Sequence, residues 1–342
     1  MNMEPQPNRS DSTRDHKKIN PTVASMTLSI VAAVAAVVFW SIFELHAASY
    51  FFIVFIFLLF VVEGMRLLVN RTLPDRAALD DASGSFVIGI IGAFFLGSVL
   101  LPIAYFIADW LSKVTPLHYG KWASTTFGTL GPIFIFVTIL VLWDFCYYWS
   151  HRIGHTVELF WGSHSVHHSS EKYNPSVAVR ISLLDHLGLT FLVLIPLLGI
   201  NPLYVFAAYG FVLYYQLPLH ITWLKRMPRP YEYIFNTPEH HRAHHARQKV
   251  YIDHNFGGLL IIWDRIFGTY VDVEDVDPLY GLTQPVGTYR PLPIIFHELA
   301  ALGRKVKNAD SVALGFKYAF HRPYWEPAVS STGAGTAGES NG

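Results

Sequence analysis

The chain has 342 residues, 52% hydrophobic and only 15% charged, against roughly 25% charged in soluble domains, so its composition is that of a membrane protein. Twenty-five Lys and Arg balance 25 Asp and Glu at a pI near 7.3, which leaves no basic footprint for nucleic acid. A lone cysteine, Cys146, excludes an intramolecular disulfide, a four-thiolate zinc site and an iron–sulfur cluster. Any metal must be held by other ligands, and the 17 histidines supply the obvious candidates.

Residues 1–25 read as a polar, exposed tail, too long and too acidic for the start of a signal peptide. Apolar stretches long enough to cross about 30 Å of hydrocarbon as helices follow at 26–44, 47–65, 84–111 and 128–149. Two more, 181–199 and 202–220, read as a hairpin turning at Asn201-Pro202; Asp185 and His186 near its start leave it spanning, re-entrant or partly embedded. The expected fold is all-α: a polytopic membrane protein of about four transmembrane helices plus an apolar hairpin, with a helical cap from residue 221 onward. Arg9, Arg14, Lys17 and Lys18 in the tail and Arg66, Arg71 and Arg76 after the second span face only Lys113 and Lys121 on the alternate side. The positive-inside rule then puts both termini and the cap in the cytoplasm. Ile295, Leu299, Leu302 and Val306 recur at helical spacing beside Arg304, Lys305 and Lys307, which fits a helix on the membrane surface or one packed on the cap. Residues 328–342 read as a flexible tail.

Two motif matches fail on context. Gly333, Gly335 and Gly338 match a dinucleotide fingerprint but have neither the preceding strand nor the following helix, and His297-Glu298 lacks the second zinc-protease histidine because Ala301 stands there.

Three histidine clusters carry the chemistry. His151 and His155 stand at i and i+4, on a helical stripe shared with Asp144 and Tyr148, the candidate catalytic residues. Asp144 is two turns from His151 and fits the role of orienting a ligand from another helix. His164, His167 and His168 span about 100° of helical arc. His240, His241, His244 and His245 follow a clear helix start: Thr237 as N-cap, Pro238 at the first position and Glu239 in the first turn. His220, ending the sixth apolar stretch, is a tenth candidate. His46, His118, His186, His254 and His321 stand alone and read as interfacial or structural. Clustered imidazoles repel when protonated and gain little when buried neutral, whereas a metal explains them. Nine or ten ligands exceed the needs of one ion and suit two adjacent ions. Iron, zinc, manganese and copper all remain compatible with the spacing.

The motif order HxxxH (151–155), HxxHH (164–168) and HxxHH (241–245) resembles the fatty acid hydroxylase and sterol desaturase superfamily of membrane di-iron oxygenases. The surrounding residues extend the resemblance over about 130–285: Asp144-Phe-Cys-Tyr-Tyr-Trp-Ser-His151-Arg152, Asn236-Thr-Pro-Glu-His240, and Asn255-Phe-Gly-Gly before Trp263-Asp264. His167-His-Ser-Ser-Glu171-Lys-Tyr173-Asn174 and Tyr280-Gly-Leu-Thr283 are most similar to the alkylglycerol monooxygenase branch. The resemblance divides the chain into a tail (1–25), an N-terminal transmembrane region (26–127), a catalytic domain (128–285), a C-terminal cap (286–327) and a flexible tail (328–342). It implies two iron ions, O2 and hydroxylation of a lipid C–H bond. Desaturation on the same scaffold, or zinc-dependent hydrolysis without oxygen chemistry, remain the alternatives. It also implies metal ligation within the set His151, His155, His164, His167, His168, His220, His240, His241, His244 and His245, the last motif running from His241. Asp144, Glu171 and Asp264 are candidates for tuning the metals or for pairing with Arg152, Arg180 or Arg242. Trp161, Tyr214, Tyr215 and Trp223 are candidates to line the substrate path or to anchor at the interface. No electron-carrying motif is present, so electrons are expected from a separate reductase, ferredoxin, cytochrome or reduced pterin.

Overall fold

The computed structural model describes residues 47–182, 185, 189–273 and 278–327, with side chains from residue 54 onward except that of Leu189. The apolar stretch 26–44, the two terminal tails, His46 and His186 lie outside the described residues. The chain divides into two compact units, Met1–Arg76 and Ala77–Gly342. In the first, helix α1 (Ala47–Val69) covers the apolar stretch expected at 47–65, and its Glu63 and Arg66 pair at 2.6 Å.

The second unit is helical, with only isolated bridges, Phe235 to Leu260 and Ala246 to Tyr280, among the described residues. Helix α2 (Arg76–Phe95) runs through a π segment, Leu96–Leu100, into α3 (Leu101–Val114). Pro102, in the first turn of α3, has no N–H to give to the preceding turn, and the wider π turn accommodates it. Helix α4 (Tyr119–Phe127) passes through a 3-10 turn into α5 (Gly131–Thr156). The composite stretches Arg76–Val114 and Tyr119–Thr156, of 39 and 38 residues, are the two among the described residues that are long and apolar enough to cross a bilayer. Their outward faces carry Phe106, Leu130 and Ile133, all more than 60% exposed, and they contain the stretches expected at 84–111 and 128–149.

Helix α6 (Glu158–His168) follows α5 after a break at Val157, whose extended backbone ends one helix and starts the next. The apolar hairpin turns where expected but is less regular than its hydropathy suggests. Among the described residues, its first arm holds α7 (Leu189–Leu194) and a 3-10 turn containing Pro196. Its second is α8 (Pro202–Gln216), started by the Asn201 side chain accepting from Leu203 N at 3.0 Å, and followed by a 3-10 turn, Leu217–His220. At fifteen residues, α8 is shorter than the ~20 that a crossing takes.

The cap contains α9 (Arg229–Ile234), α10 (Pro238–His244), α11 (Ile262–Phe267), α12 (Pro291–Lys307) and α13 (Val312–Phe320). The main core packs Ile135, Ile139 and Trp143 of α5 against Val205, Ala208 and Val212 of α8, with Leu259 and Leu260 closing one end. A second cluster joins Ile88 of α2, Val166 of α6 and Ile294 and Ile295 of α12. Ile295 and Leu302 of α12 are thus buried, while Val306 stays 41% exposed. Gly162 permits the close approach of α12: a Cβ there would lie 2.8 Å from Leu299 Cδ2.

One buried ion pair ties α2 to the segment behind α6. Arg180 Nη1 lies 2.7 Å from Asp81 Oδ1, both side chains almost fully buried, and Ser170 donates its hydroxyl to the same carboxylate. Removing one partner of such a pair strands the other charge, at a cost of about 3–5 kcal/mol. The pair therefore fixes the backbone at 170 and 180, on either side of the site described next.

Candidate metal centre

Four elements converge on one buried volume: the end of α5, all of α6, the turn ending at His220, and α10. Their imidazoles fall into two sets. His151, His155, His164, His168 and His244 form one, and His167, His220, His241 and His245 the other; within each, the ligand nitrogens lie within 4.8 Å of one another. The sets adjoin, with the rings of His168 and His245 stacked at 4.3 Å. The doubled histidines account for this division. Adjacent residues on a helix point about 100° apart, so His167 and His168 serve different sets, as do His244 and His245. Helices α6 and α10 feed both sets, α5 only the first, and the 217–220 turn only the second.

The tautomers follow from the partners of Nδ1. A main-chain carbonyl can only accept, so a ring nitrogen bonded to one carries the proton. His151 Nδ1 donates to Phe256 O at 2.8 Å, His244 Nδ1 to His254 O at 2.8 Å, His167 Nδ1 to Arg180 O at 3.3 Å and His220 Nδ1 to Gln216 O at 3.1 Å. His164 Nδ1 meets the Asp185 carboxylate at 2.7 Å. Each of these rings, when neutral, is left with a lone pair on Nε2. Yet Nε2 of His151 faces Nε2 of His164 at 3.1 Å, and Nε2 of His167 faces that of His220 at 3.4 Å. Lone pair against lone pair is repulsive unless a cation sits between or beside them. The Nε2 atoms of His155, His168 and His244 are buried with no hydrogen-bond partner at all.

Protons do not resolve the conflict. Burial, followed by the neighbouring imidazoles, holds His168, His241, His244 and His245 well below the usual histidine range, so these four rings are neutral near pH 7. Neutral, desolvated imidazoles with convergent lone pairs are the donor set that divalent transition metals take. The residues present therefore fit a pair of metal ions, five donors to one and four to the other.

His240 belongs to neither set. Fully buried, it has no hydrogen-bond partner on either ring nitrogen, lies edge-on to Tyr270 at 5.5 Å, and is held near a pKa of about 4, first by burial and then by Arg265. Thr237 caps the helix as expected, its hydroxyl accepting from His240 N at 3.4 Å. Among the solitary histidines, His254 contributes through its carbonyl alone.

Asp144 acts on the chain rather than on a ring. Its carboxylate accepts from Leu259 N (2.6 Å), Leu260 N (3.0 Å) and Trp263 Nε1 (2.9 Å). Asp264 works in parallel, accepting from Phe256 N (2.8 Å), Gly257 N (2.7 Å) and Thr269 Oγ1 (2.7 Å), and burial pushes its pKa up to about 6. The two acids thereby pin the 254–260 loop, whose carbonyls orient His151 and His244. Gly258 is required by this contact, since a Cβ there would lie 2.7 Å from Tyr147 and 3.0 Å from Asp144. Tyr148 shares a hydrogen bond with Thr269 Oγ1 at 2.9 Å and receives one from Arg152 at 3.0 Å. Neither Asp144 nor Asp264 takes up Arg180 or Arg242: Arg180 pairs with Asp81 and Arg242 with Glu239. Glu171 is exposed, against Gly281. Tyr215 gives its hydroxyl to Asn236 O at 2.5 Å, and Trp223 is exposed.

Residues 136–269, which carry every one of these histidines, match the fatty acid hydroxylase family. They form a fatty acid hydroxylase domain. The chain is 39% identical to alkylglycerol monooxygenase of Homo sapiens over 191 residues, 56% of this chain and 42% of that protein. The Caenorhabditis elegans alkylglycerol monooxygenase is 33% identical over 227 residues, 66% of this chain and 43% of its own. Ornithine lipid hydroxylase of Rhizobium tropici is 33% identical over 132 residues, 38% of this chain and 40% of its own. The chain thus spans about two fifths of the length of these curated relatives. No solved structure matches it.

Within the hydroxylase domain, the partners of Nδ1 were largely hidden from sequence reading. Main-chain carbonyls leave no trace in residue identity. Asp185 did leave one, as a carboxylate interrupting an apolar run, and it stands against His164.

Single alanine replacements at His240, His241, His244 and His245 should separate by bound metal. Loss of His241, His244 or His245 removes a donor and should empty or nearly empty a site, whereas His240→Ala should keep most metal. Asp185→Asn, which removes the carboxylate but not the ligand, should weaken metal affinity ~10–100-fold. Metal analysis after dialysis against a graded chelator checks this, and His240→Ala losing metal as fully as His244→Ala would contradict it.

A second expectation concerns pH in the metal-free protein. These histidines have folded pKa values below the unfolded value of ~6.5, so below that pH the unfolded chain binds more protons than the folded one, and stability falls on acidification. Stability should be fully present above pH ~6.5 and be lost progressively below it, while bound metal holds it to lower pH. Thermal unfolding of metal-free and loaded protein across this range measures it; a flat metal-free profile would refute it.

Proposed function

We propose that the protein is a membrane-bound di-iron oxygenase that hydroxylates a C–H bond of a lipid, using O2 and electrons from a separate donor. The observation that carries this reading is the pair of imidazole sets with opposed lone pairs, inside a fatty acid hydroxylase domain beside long apolar helices. His151, His155, His164, His168 and His244 would hold one iron, and His167, His220, His241 and His245 the other. Bound iron would supply the redox chemistry with O2 that an unactivated C–H bond requires and that no amino-acid side chain provides.

The chain's own residues set the conditions for that chemistry. Asp185 holds the Nδ1 proton of His164, and the carbonyls of Phe256, His254, Arg180 and Gln216 hold those of His151, His244, His167 and His220. The buried Phe256 ring lies 5.2–5.9 Å from the rings of His155, His151 and His244 and excludes water from that side. Asp144 and Tyr148 serve as positioning residues through the loop and through Thr269. The apolar surfaces of α5 and α8 suit the hydrocarbon chain of an amphiphile whose head group stays wet. Relatives named alkylglycerol monooxygenase and ornithine lipid hydroxylase support a lipid substrate, whether ether lipid, fatty acyl or sterol-like. The electron donor is a reductase with a cytochrome or ferredoxin, or a reduced pterin. Residues 128–285 form the catalytic region, with 26–127 as the N-terminal membrane region and 286–327 as the cap.

Lipid mass spectrometry of cells with and without the chain should reveal a lipid gaining one oxygen atom, labelled when 18O2 is supplied, and anaerobic preparations should carry close to two irons per chain. A lipid losing two hydrogens instead would make it a desaturase. Stoichiometric zinc with no dependence on O2 would make it a hydrolase and refute the oxygenase reading.

The membrane arrangement we infer is multi-pass, about four spans with both termini and the histidine sets cytoplasmic, because Arg66, Arg71 and Arg76 cluster on one side of the second apolar stretch. Single cysteines near residues 75 and 116 should label from opposite faces of sealed vesicles, and labelling from one face would overturn it.

A further inference from the structure

Beside the five-histidine set, two aromatic side chains and two buried carboxylates form a chain that the proposed chemistry does not use. The Trp161 ring packs 5.2 Å from that of His155 and 5.8 Å from that of His168. Its indole Nε1 donates to Tyr324 Oη at 3.2 Å, and that hydroxyl donates to Glu298 Oε1 at 2.7 Å. Glu158 Oε2 accepts the Tyr324 main-chain N–H at 2.9 Å. Glu158 and Glu298 are only 4% and 7% exposed.

Packing alone does not account for Tyr324. Its φ is +60°, a left-handed conformation that is strained for a bulky residue and persists only when its surroundings impose it. Here one carboxylate holds its amide and another its phenol, from α6 and α12. Tyr324 is also 37% exposed, so one contiguous path runs from two imidazoles of the five-histidine set, through an indole and a phenol, to a residue at the surface. Tryptophan and tyrosine are the side chains most readily oxidised by one electron, and a phenol gives up its electron far more easily when a base takes its proton in the same step.

We propose that Trp161, Tyr324 and Glu298 form a redox relay that draws an unspent oxidising equivalent away from the five-histidine set to the protein surface. The proposal rests on the oxygenase reading. When O2 has been reduced but no lipid is present to receive the oxidising power, one electron passes from Trp161 to the centre, leaving an indole radical cation. Tyr324 returns one electron to Trp161 and its phenolic proton passes to Glu298, leaving a neutral tyrosyl radical. A thiol reductant in solvent, as its thiolate, supplies one electron to that radical, the proton returns from Glu298, and two thiyl radicals from two such events join as one disulfide. The ligand imidazoles are thereby spared oxidation.

The test uses the full-length, iron-loaded protein, reduced anaerobically, mixed with O2 without lipid or thiol and frozen at intervals. Iron content and O2 consumption are measured on the same samples. Wild type should show a tyrosyl radical by electron paramagnetic resonance, narrowed by ring-deuterated tyrosine. Tyr324→Phe should lose the signal, Trp161→Phe should lose most of it, and Glu298→Gln should build it more slowly. Peptide mass spectrometry should find more oxidised His155 and His168 in the Tyr324→Phe and Trp161→Phe variants. A wild-type signal persisting in iron-loaded Tyr324→Phe, or O2 consumption by wild type with no tyrosyl radical, overturns the relay alone. Iron-loaded wild type that consumes no O2 overturns the oxygenase reading and the relay with it.

Discussion

The structure turns on opposed imidazole lone pairs in a place that water cannot reach. Nε2 of His151 and His164 stand 3.1 Å apart, and each ring has already committed its Nδ1 proton to a carbonyl or a carboxylate. In water such rings would rotate away or take up protons. The Nδ1 hydrogen bonds of both rings block the first escape. The folded chain therefore carries an electrostatic demand for cations, which a metal pair would satisfy. This is why the partners of Nδ1 matter as much as the ligands: each fixes both which nitrogen is bare and where it points.

Those partners are themselves held from a distance. Phe256 and His254 belong to a loop whose amides are gripped by Asp144 from α5 and Asp264 from α11. Arg180 O stands where it does because the Arg180 side chain is paired with Asp81 on α2. The long apolar helices thus also serve the site, since α2 and α5 each send one buried acid to a segment that orients a histidine of the two sets. Both acids are fully engaged by donors, the condition under which a buried carboxylate is tolerable.

Sequence reading reached the histidines that the fold gathers into two sets because potential metal donors are written in side-chain identity and helical spacing. His151 and His155, His164 and His168, and His241 and His245 each sit one turn apart, and the Thr237-Pro238 start of α10 is explicit in the residues. The division of the doubled histidines was not visible, since it depends on α6 and α10 lying between the two sets, a tertiary fact. Hydropathy also left the form of the hairpin open, since the 3-10 turn at Pro196 that follows α7 is a backbone detail that composition does not carry. The partners of Asp144 were not visible for a related reason. Its place on the histidine stripe, two turns from His151, suggested that it orients a ring on another helix, but which groups it meets is set by the fold, which brings the amides of Leu259 and Leu260.

The loop from Asp253 to Leu260 shows how far backbone conformation can be specified for a site. Asp253 and Asn255 have φ of 61° and 59°, in the left-handed region that these two residue types tolerate better than most. Between them the chain reverses enough for the carbonyls of His254 and Phe256 to reach ligands on two different helices. Asn255 makes the conformation self-supporting: its side chain donates to His240 O at 3.2 Å and to Val271 O at 2.9 Å, and accepts from Val271 N at 2.9 Å. His240 is therefore linked to the metal ligands through its carbonyl, by way of Asn255 and the loop that orients His151 and His244, while its ring remains outside both sets. A histidine can sit inside a ligand motif and yet serve the site through its main chain, which is why spacing alone places it among the donors and geometry does not.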